Sequence, residues 1–127
     1  MQRLLFFLLI SFLCPIASAT AYSGLDLLRG CREMLKISDG ISVEPTAFVH
    51  AGMCTGYISG IVDANQVMTA VRGEPAALFC SPQGGLQNEQ LVRIVVKHLN
   101  DNPKHLHEPA RMSVVIALHQ AFPCPNR

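Results

Sequence analysis

Between Ser23 and Cys124 the apolar residues recur at intervals of three and four, and glycine, proline and polar turn formers cut that rhythm into segments. Leu27, Leu28, Cys31, Met34 and Leu35 share one face of a first helix. Ser23 is placed to cap it, with Asp26 three residues on, and Gly40 and the non-helical run through Val43 end it. Pro45 suits the first position of a second helix, the longest, whose predicted stripe is Phe48, Cys54, Ile58, Ile61, Met68 and Val71, stopped by Gly73 and Pro75. Residues 74–85, with two prolines and an adjacent pair of glycines, read as a loop carrying Cys80. Leu91, Ile94, Val95 and Leu99 predict a third helix. Its β-branched run suggests a strand, but Leu91 and Leu99 bracket that run at helical spacing, and Asn100-Asp101-Asn102-Pro103 breaks the helix. Pro109 opens a fourth helix with the stripe Met112, Val115, Leu118 and Phe122. The predicted fold class is all-α: a compact four-helix domain of two helical hairpins, stapled by disulfides.

The segment ahead of this pattern has a different character. Arg3 precedes an apolar run from Leu4 to Leu13, then Pro15 and Ala17-Ser18-Ala19, the form of a signal peptide cut after Ala19. The run is half the roughly 20 residues that a membrane-spanning helix needs, and bulky Leu13 argues against lipidation at Cys14. Residues 1–19 are therefore expected to be a leader and residues 20–127 one domain. Loss of the leader takes the ten Lys and Arg down to nine, against nine Asp and Glu. That balance lacks the basic footprint of a nucleic-acid binder or of a polybasic membrane patch, so neither nucleic acid nor, after cleavage, membrane is an expected partner.

Cleavage also leaves four cysteines, Cys31, Cys54, Cys80 and Cys124, an even number that predicts two disulfides in an oxidising compartment. If the first two helices form a hairpin turning near Ser42, Cys31 lies eleven residues before the turn and Cys54 twelve after it, side by side. Cys80 and Cys124 then sit at the ends of the second hairpin. This favours Cys31 with Cys54 and Cys80 with Cys124; a Cys54–Cys80 bond ranks second, because the loop after Gly73 would have to run back along some 27 Å of helix, at about 1.5 Å per residue.

Gly52, Gly56 and Gly60 recur every fourth residue and leave one side of the second helix bare. The reading preferred from spacing is a tight helix crossing inside the chain, ahead of a seam between two copies.

The candidate chemistry is thin. Paired cysteines leave no thiolate to serve as a nucleophile. His98, His105 and His107 are near in sequence but lack a known ligand pattern, and Asp63 has no partner carboxylate for acid–base work. Tyr57 reads as a core aromatic with its hydroxyl at the edge. No catalytic, cofactor or metal residue is assigned, and the chain is not read as an enzyme.

Several ordered segments carry a family resemblance: Cys54-Thr55-Gly56-Tyr57-Ile58-Ser59-Gly60, Asp63, Phe79-Cys80-Ser81-Pro82, Gln90 through Val95-Val96-Lys97 and Leu99 to Pro103, His107, Pro109-Ala110, Ala117-Leu118, and the closing Ala121-Phe122-Pro123-Cys124. In this order they resemble the Rap/Tai immunity proteins, over most of the chain beyond the leader. Thr55 stands where that family is expected to carry an aliphatic residue, and the Cys31–Cys54 segment is longer than usual. The resemblance implies a small periplasmic helical protein that neutralises a peptidoglycan amidase effector of a type VI secretion system by plugging its substrate groove, often as a homodimer. Recognition is then expected on exposed loops, first at Asn102, Lys104, His105 and His107, and second in residues 74–85. The alternative is a periplasmic interaction protein or stress chaperone.

Overall fold

The structure, a computed structural model, describes residues 21–125; the expected leader and its cleavage point lie outside the described residues. Four α-helices follow in order: α1 (Gly24–Ser38), α2 (Pro45–Arg72), α3 (Asn88–Asp101) and α4 (Ala110–Ala121). Short 3₁₀ turns, Glu74–Ala76 and Pro103–His105, lie before α3 and before α4. Among the described residues there is no named strand, only an isolated bridge between Ser23 and Pro109. The domain is all-α, as predicted, with both disulfides formed.

α1 begins as the sequence predicts. The Ser23 hydroxyl accepts from the Asp26 backbone N–H at 3.2 Å, and the Asp26 carboxylate accepts in turn from the Ser23 N–H at 3.2 Å. Leu27, Leu28 and Cys31 are buried and Met34 and Leu35 half-buried, as the stripe requires. At the far end Gly40, at φ 72°, takes the left-handed turn, and the next amide, Ile41, donates to the Lys36 carbonyl.

α2 keeps its predicted bounds, Pro45 opening it and Gly73, at φ 84°, closing it, but not its predicted face. Cys54 and Ile58 are buried, whereas Phe48 and Val71 are 60% and 76% exposed. The inward side is completed by Ala47, Ala51, Val62 and Asn65. Periodicity misassigned this face because α2 is apolar nearly all the way round, so no polar side marks which way it turns.

The close crossing of α1 and α2 exists, but it is not made by the glycines expected to make it. A Cβ added at Gly52, Gly56 or Gly60 would meet nothing within 4 Å, and all three residues are exposed. Gly30 of α1 is the contact: a Cβ there would stand 2.7 Å from the His50 carbonyl oxygen of α2. One residue on, Cys31 joins Cys54 across the same approach, with their Cα atoms 5.1 Å apart.

α3 packs its buried Leu91, Val92, Val95, Val96 and Leu99 against α1, α2 and α4. α4 buries Ala110, Ser113, Val114, Ala117 and Leu118; Met112, placed inward by the predicted stripe, is 49% exposed. The loop before α3 enters the core. Phe79 is the largest fully buried side chain, and Asn65 of α2 clamps its segment, accepting from the Leu78 N–H at 2.6 Å and donating to the Phe79 carbonyl at 2.9 Å. Cys80 bonds Cys124, with Cα atoms 4.9 Å apart, and its amide donates to the Phe122 carbonyl.

Candidate functional site

All four cysteines among the described residues are oxidised. No group of three or more His, Cys, Asp and Glu side chains that could hold a metal is found among the described residues. His98 lies against Asn102, and His105 Nδ1 lies 2.7 Å from the Glu108 carboxylate.

The connection between α3 and α4 was the first expected recognition element, and it is hydrogen-bonded to the start of α1. Backbone N–H groups of Gly24 and Leu25 donate to the carbonyls of Glu108 and Leu106, and the Ala110 N–H donates to the Tyr22 carbonyl, so the connection is laced to the start of α1. A Cβ at Gly24 would come within 3.2 Å of the Leu106 oxygen, which is why glycine suits that approach. The four candidate side chains then divide. The Asn102 amide donates to the His98 carbonyl and so finishes α3, and His105 is half-buried against Glu108. Lys104 and His107 are exposed.

Beside this element, Tyr22 donates its hydroxyl to the Asp26 carbonyl at 3.2 Å and packs a tilted ring on Tyr57, centroids 5.2 Å apart. Partial burial raises the Tyr22 phenol above its usual range, with the Asp26 and Tyr57 charges adding to it. The Asp26 carboxyl is held below its ordinary 3.8, first by the Ser23 side chain, then by the Ser23 backbone, with Arg29 adding to them. At the opposite end, Glu89 accepts from Ser38 at 2.7 Å and from Arg93, which also reaches Asp39 at 2.7 Å, so the end of α1 is braced to the start of α3. These bonds hold the Glu89 carboxyl below its ordinary 4.5, Ser38 foremost.

A pH dependence follows. Both carboxyls titrate lower in the folded state than in the unfolded chain, so their contribution is complete above about pH 4.5 and is lost as pH falls through the folded values. Ser23→Ala is expected to cost about 1 kcal/mol at neutral pH through the lost cap and to make the urea midpoint less sensitive to acid. Equal acid sensitivity in the variant and the parent would remove Asp26 from that account.

The second expected element, the 74–85 loop, forms one wall of an open cleft of about 600 Å³ with Pro123, Cys124 and Pro125 around the outer disulfide. A third exposed feature was not expected. The outer side of α2 shows Val49, Met53 and Val67 at 64%, 49% and 62% exposure, with the bare glycines between them. Asp63 is the sole acidic or basic side chain, histidine aside, from Pro45 to Val71.

The family model for Rap1a immunity proteins matches residues 23–124. The chain belongs to the Rap1a immunity protein family. The matched span runs from the residue that caps α1 to the cysteine that closes the second disulfide, so it covers the whole stapled scaffold. Neither a curated protein nor a solved structure matches the chain. As a Rap1a immunity protein, the chain is expected to work by binding an effector protein, which directs attention to its stiff exposed surfaces rather than to its clefts.

Proposed function

We propose that this Rap1a family member is an exported periplasmic immunity protein, non-enzymatic, that binds a peptidoglycan amidase delivered by a type VI secretion system and blocks its substrate groove. It acts as a homodimer in this reading, with residues 1–19 removed on export. The observation that carries the reading is the family match over the entire disulfide-stapled fold. Physical features agree with it. A connection tied by backbone hydrogen bonds to α1 loses little conformational freedom on docking, and two cross-links stiffen the rest. Lys104 and His107 project from that connection and are the side chains assigned to the effector.

The test is protection. Periplasmic co-expression of the chain with the amidase encoded beside it should prevent lysis, and the two proteins should form a stable complex in calorimetry. Lys104→Glu combined with His107→Ala should weaken that complex at least tenfold, about 1.4 kcal/mol, without lowering Tm. Lysis undiminished by the wild-type chain would overturn the reading, and undiminished affinity in the double variant would move the contact elsewhere on the surface.

A further inference from the structure

From Ala51 to Val92 the chain carries one basic side chain, Arg72, and no histidine, against the carboxylates Asp63, Glu74 and Glu89. These residues form both walls of an open furrow, with α2 on one side and the loop before α3 on the other. Three adjoining clefts make it up. The cleft of about 600 Å³ around the outer disulfide shares Glu74, Cys80 and Ser81 with one of about 410 Å³ lined by the buried Asn65 and Phe79. That cleft shares Gln66 and Ser81 with a third, of about 220 Å³, which reaches Asp63 and Asn88. No described lysine, arginine or histidine lines any of the three.

The polar side chains along the furrow fall into two groups. Some are engaged within the chain: Asn65 clamps the loop, Thr69 donates to the Asn65 carbonyl, and Ser59 donates to the Asn88 side chain. The side chains of Asp63, Gln66, Ser81 and Gln83 have no hydrogen bond or ion pair among the described residues. Amides and hydroxyls suit the N–H and C=O groups of a peptide backbone, and a carboxylate in a furrow without cations selects a basic side chain. The loop wall is fixed in advance by the Cys80–Cys124 bridge and the Asn65 clamp, so docking there orders little of this chain. The length is also defined. α2 rises about 13 Å from Asp63 to Arg72 at 1.5 Å per residue, and Glu74 follows two positions on. At about 3.3 Å per residue, four residues of extended chain span that distance.

We propose that this furrow receives an extended segment of the effector, with one lysine or arginine at Asp63 and a second about four residues away toward Glu74. The inference rests on the immunity reading above for the identity of the partner. It adds a contact at the start of α3 opposite in charge to Lys104 and His107 beyond its end, and two contacts of opposite sign fix the orientation in which the effector docks.

The preference for basic chain can be measured without the effector. The probe is acetyl-Lys-Ser-Ser-Ser-Lys-amide, titrated into the isotope-labelled, exported, disulfide-bonded chain and followed by NMR. Backbone amide signals of Asp63, Gln66, Ser81 and Gln83 should shift and those of residues 97–111 should not. The same peptide with glutamate in place of lysine should shift neither set. Asp63 is exposed and makes no bond within its own chain, so Asp63→Asn should keep Tm while weakening the peptide about threefold, the size of one exposed ion pair. Asp63→Lys sets like charge against like and should lower effector affinity about tenfold in calorimetry.

Peptide shifts scattered over other carboxylates such as Asp39 and Asp101, or unaltered by Asp63→Asn, overturn the proposal. So does full effector affinity in Asp63→Lys. Shifts produced by a soluble chitooligosaccharide and not by the peptide would assign the furrow to glycan and overturn it as well. A chain that binds the peptide in the furrow but does not prevent lysis strikes the immunity reading and leaves the furrow's preference for basic chain standing. One that prevents lysis but fails the titration strikes the furrow alone.

Discussion

Replacing Cys31 and Cys54 together by alanine is expected to destabilise the domain by roughly 4–5 kcal/mol, enough to unfold much of it at 37 °C. The loop-entropy estimate for a separation of 23 residues is about 3.5 kcal/mol. Both residues are wholly buried where α1 and α2 come closest, so truncation also leaves a void, adding roughly 1 kcal/mol. The other bridge spans 44 residues, and loop entropy alone gives about 4 kcal/mol. Cys80 and Cys124 are only half-buried, however, and the Asn65 clamp holds their segment without the bond. The two estimates are close enough for burial to decide, and the shorter loop should therefore carry the more costly bridge. Urea unfolding of the two double variants, followed by circular dichroism, checks the order. Limited reduction with alkylation gives a second measure, in which Cys80 and Cys124 should be labelled first. If the Cys80–Cys124 variant proves the weaker of the two, loop entropy rather than core packing governs these staples.

This bridge was legible in the sequence because it follows from counting. The two helices had marked ends, Ser23 with Asp26 at one and Pro45 and Gly73 at the other, and residues nearly equidistant from a turn must lie side by side. Which side of α2 faces inward was not legible. Amphipathic α1 and α3 each present one buried stripe, but α2 offers apolar residues to every direction, and packing chose the side rich in alanine over the side carrying Phe48 and Val71. The glycine stripe was misread for the same reason: regular spacing shows that a side is bare, not which way it turns. Gly30, whose backbone does carry the crossing, stands alone between Arg29 and Cys31 and gives no periodic signal.

The candidate recognition residues were chosen by element rather than by side chain. Polar residues at a helix end satisfy that helix before anything else, so Asn102 turned back onto His98 and His105 onto Glu108, leaving Lys104 and His107 outward. That partition depends on side-chain direction, which a pattern of residue types does not encode.

Phe79 was the core residue least visible in advance, and it carries the second large prediction. It sits in a stretch with prolines and glycines on either side, yet it is 1% exposed. The reason lies on α2, where Asn65, one of two buried polar side chains in the described core, takes the place of a strand neighbour for Leu78 and Phe79. Phe79→Ala should cost about 3–5 kcal/mol, the usual range for removing a buried ring. Asn65→Ala should cost about 2–3 kcal/mol, because a backbone donor and a backbone acceptor lose their partner. The two losses should fall short of additivity by 0.5 kcal/mol or more, on the order seen for residues in one network, since a segment that has released its ring no longer uses the clamp. Asn65→Asp separates the clamp from simple packing. A carboxylate there keeps the acceptor for Leu78 but faces the Phe79 carbonyl with no proton to donate, so the folded state favours the protonated acid. Its folded pKa is thereby raised, and the variant should be near wild type in acid and weaken as pH rises through the carboxylate range, opposite in sign to the Asp26 and Glu89 dependence. A variant that loses stability equally at all pH would mean that Asn65 acts by its shape, and that the hydrogen bonds to Leu78 and Phe79 do not position the loop.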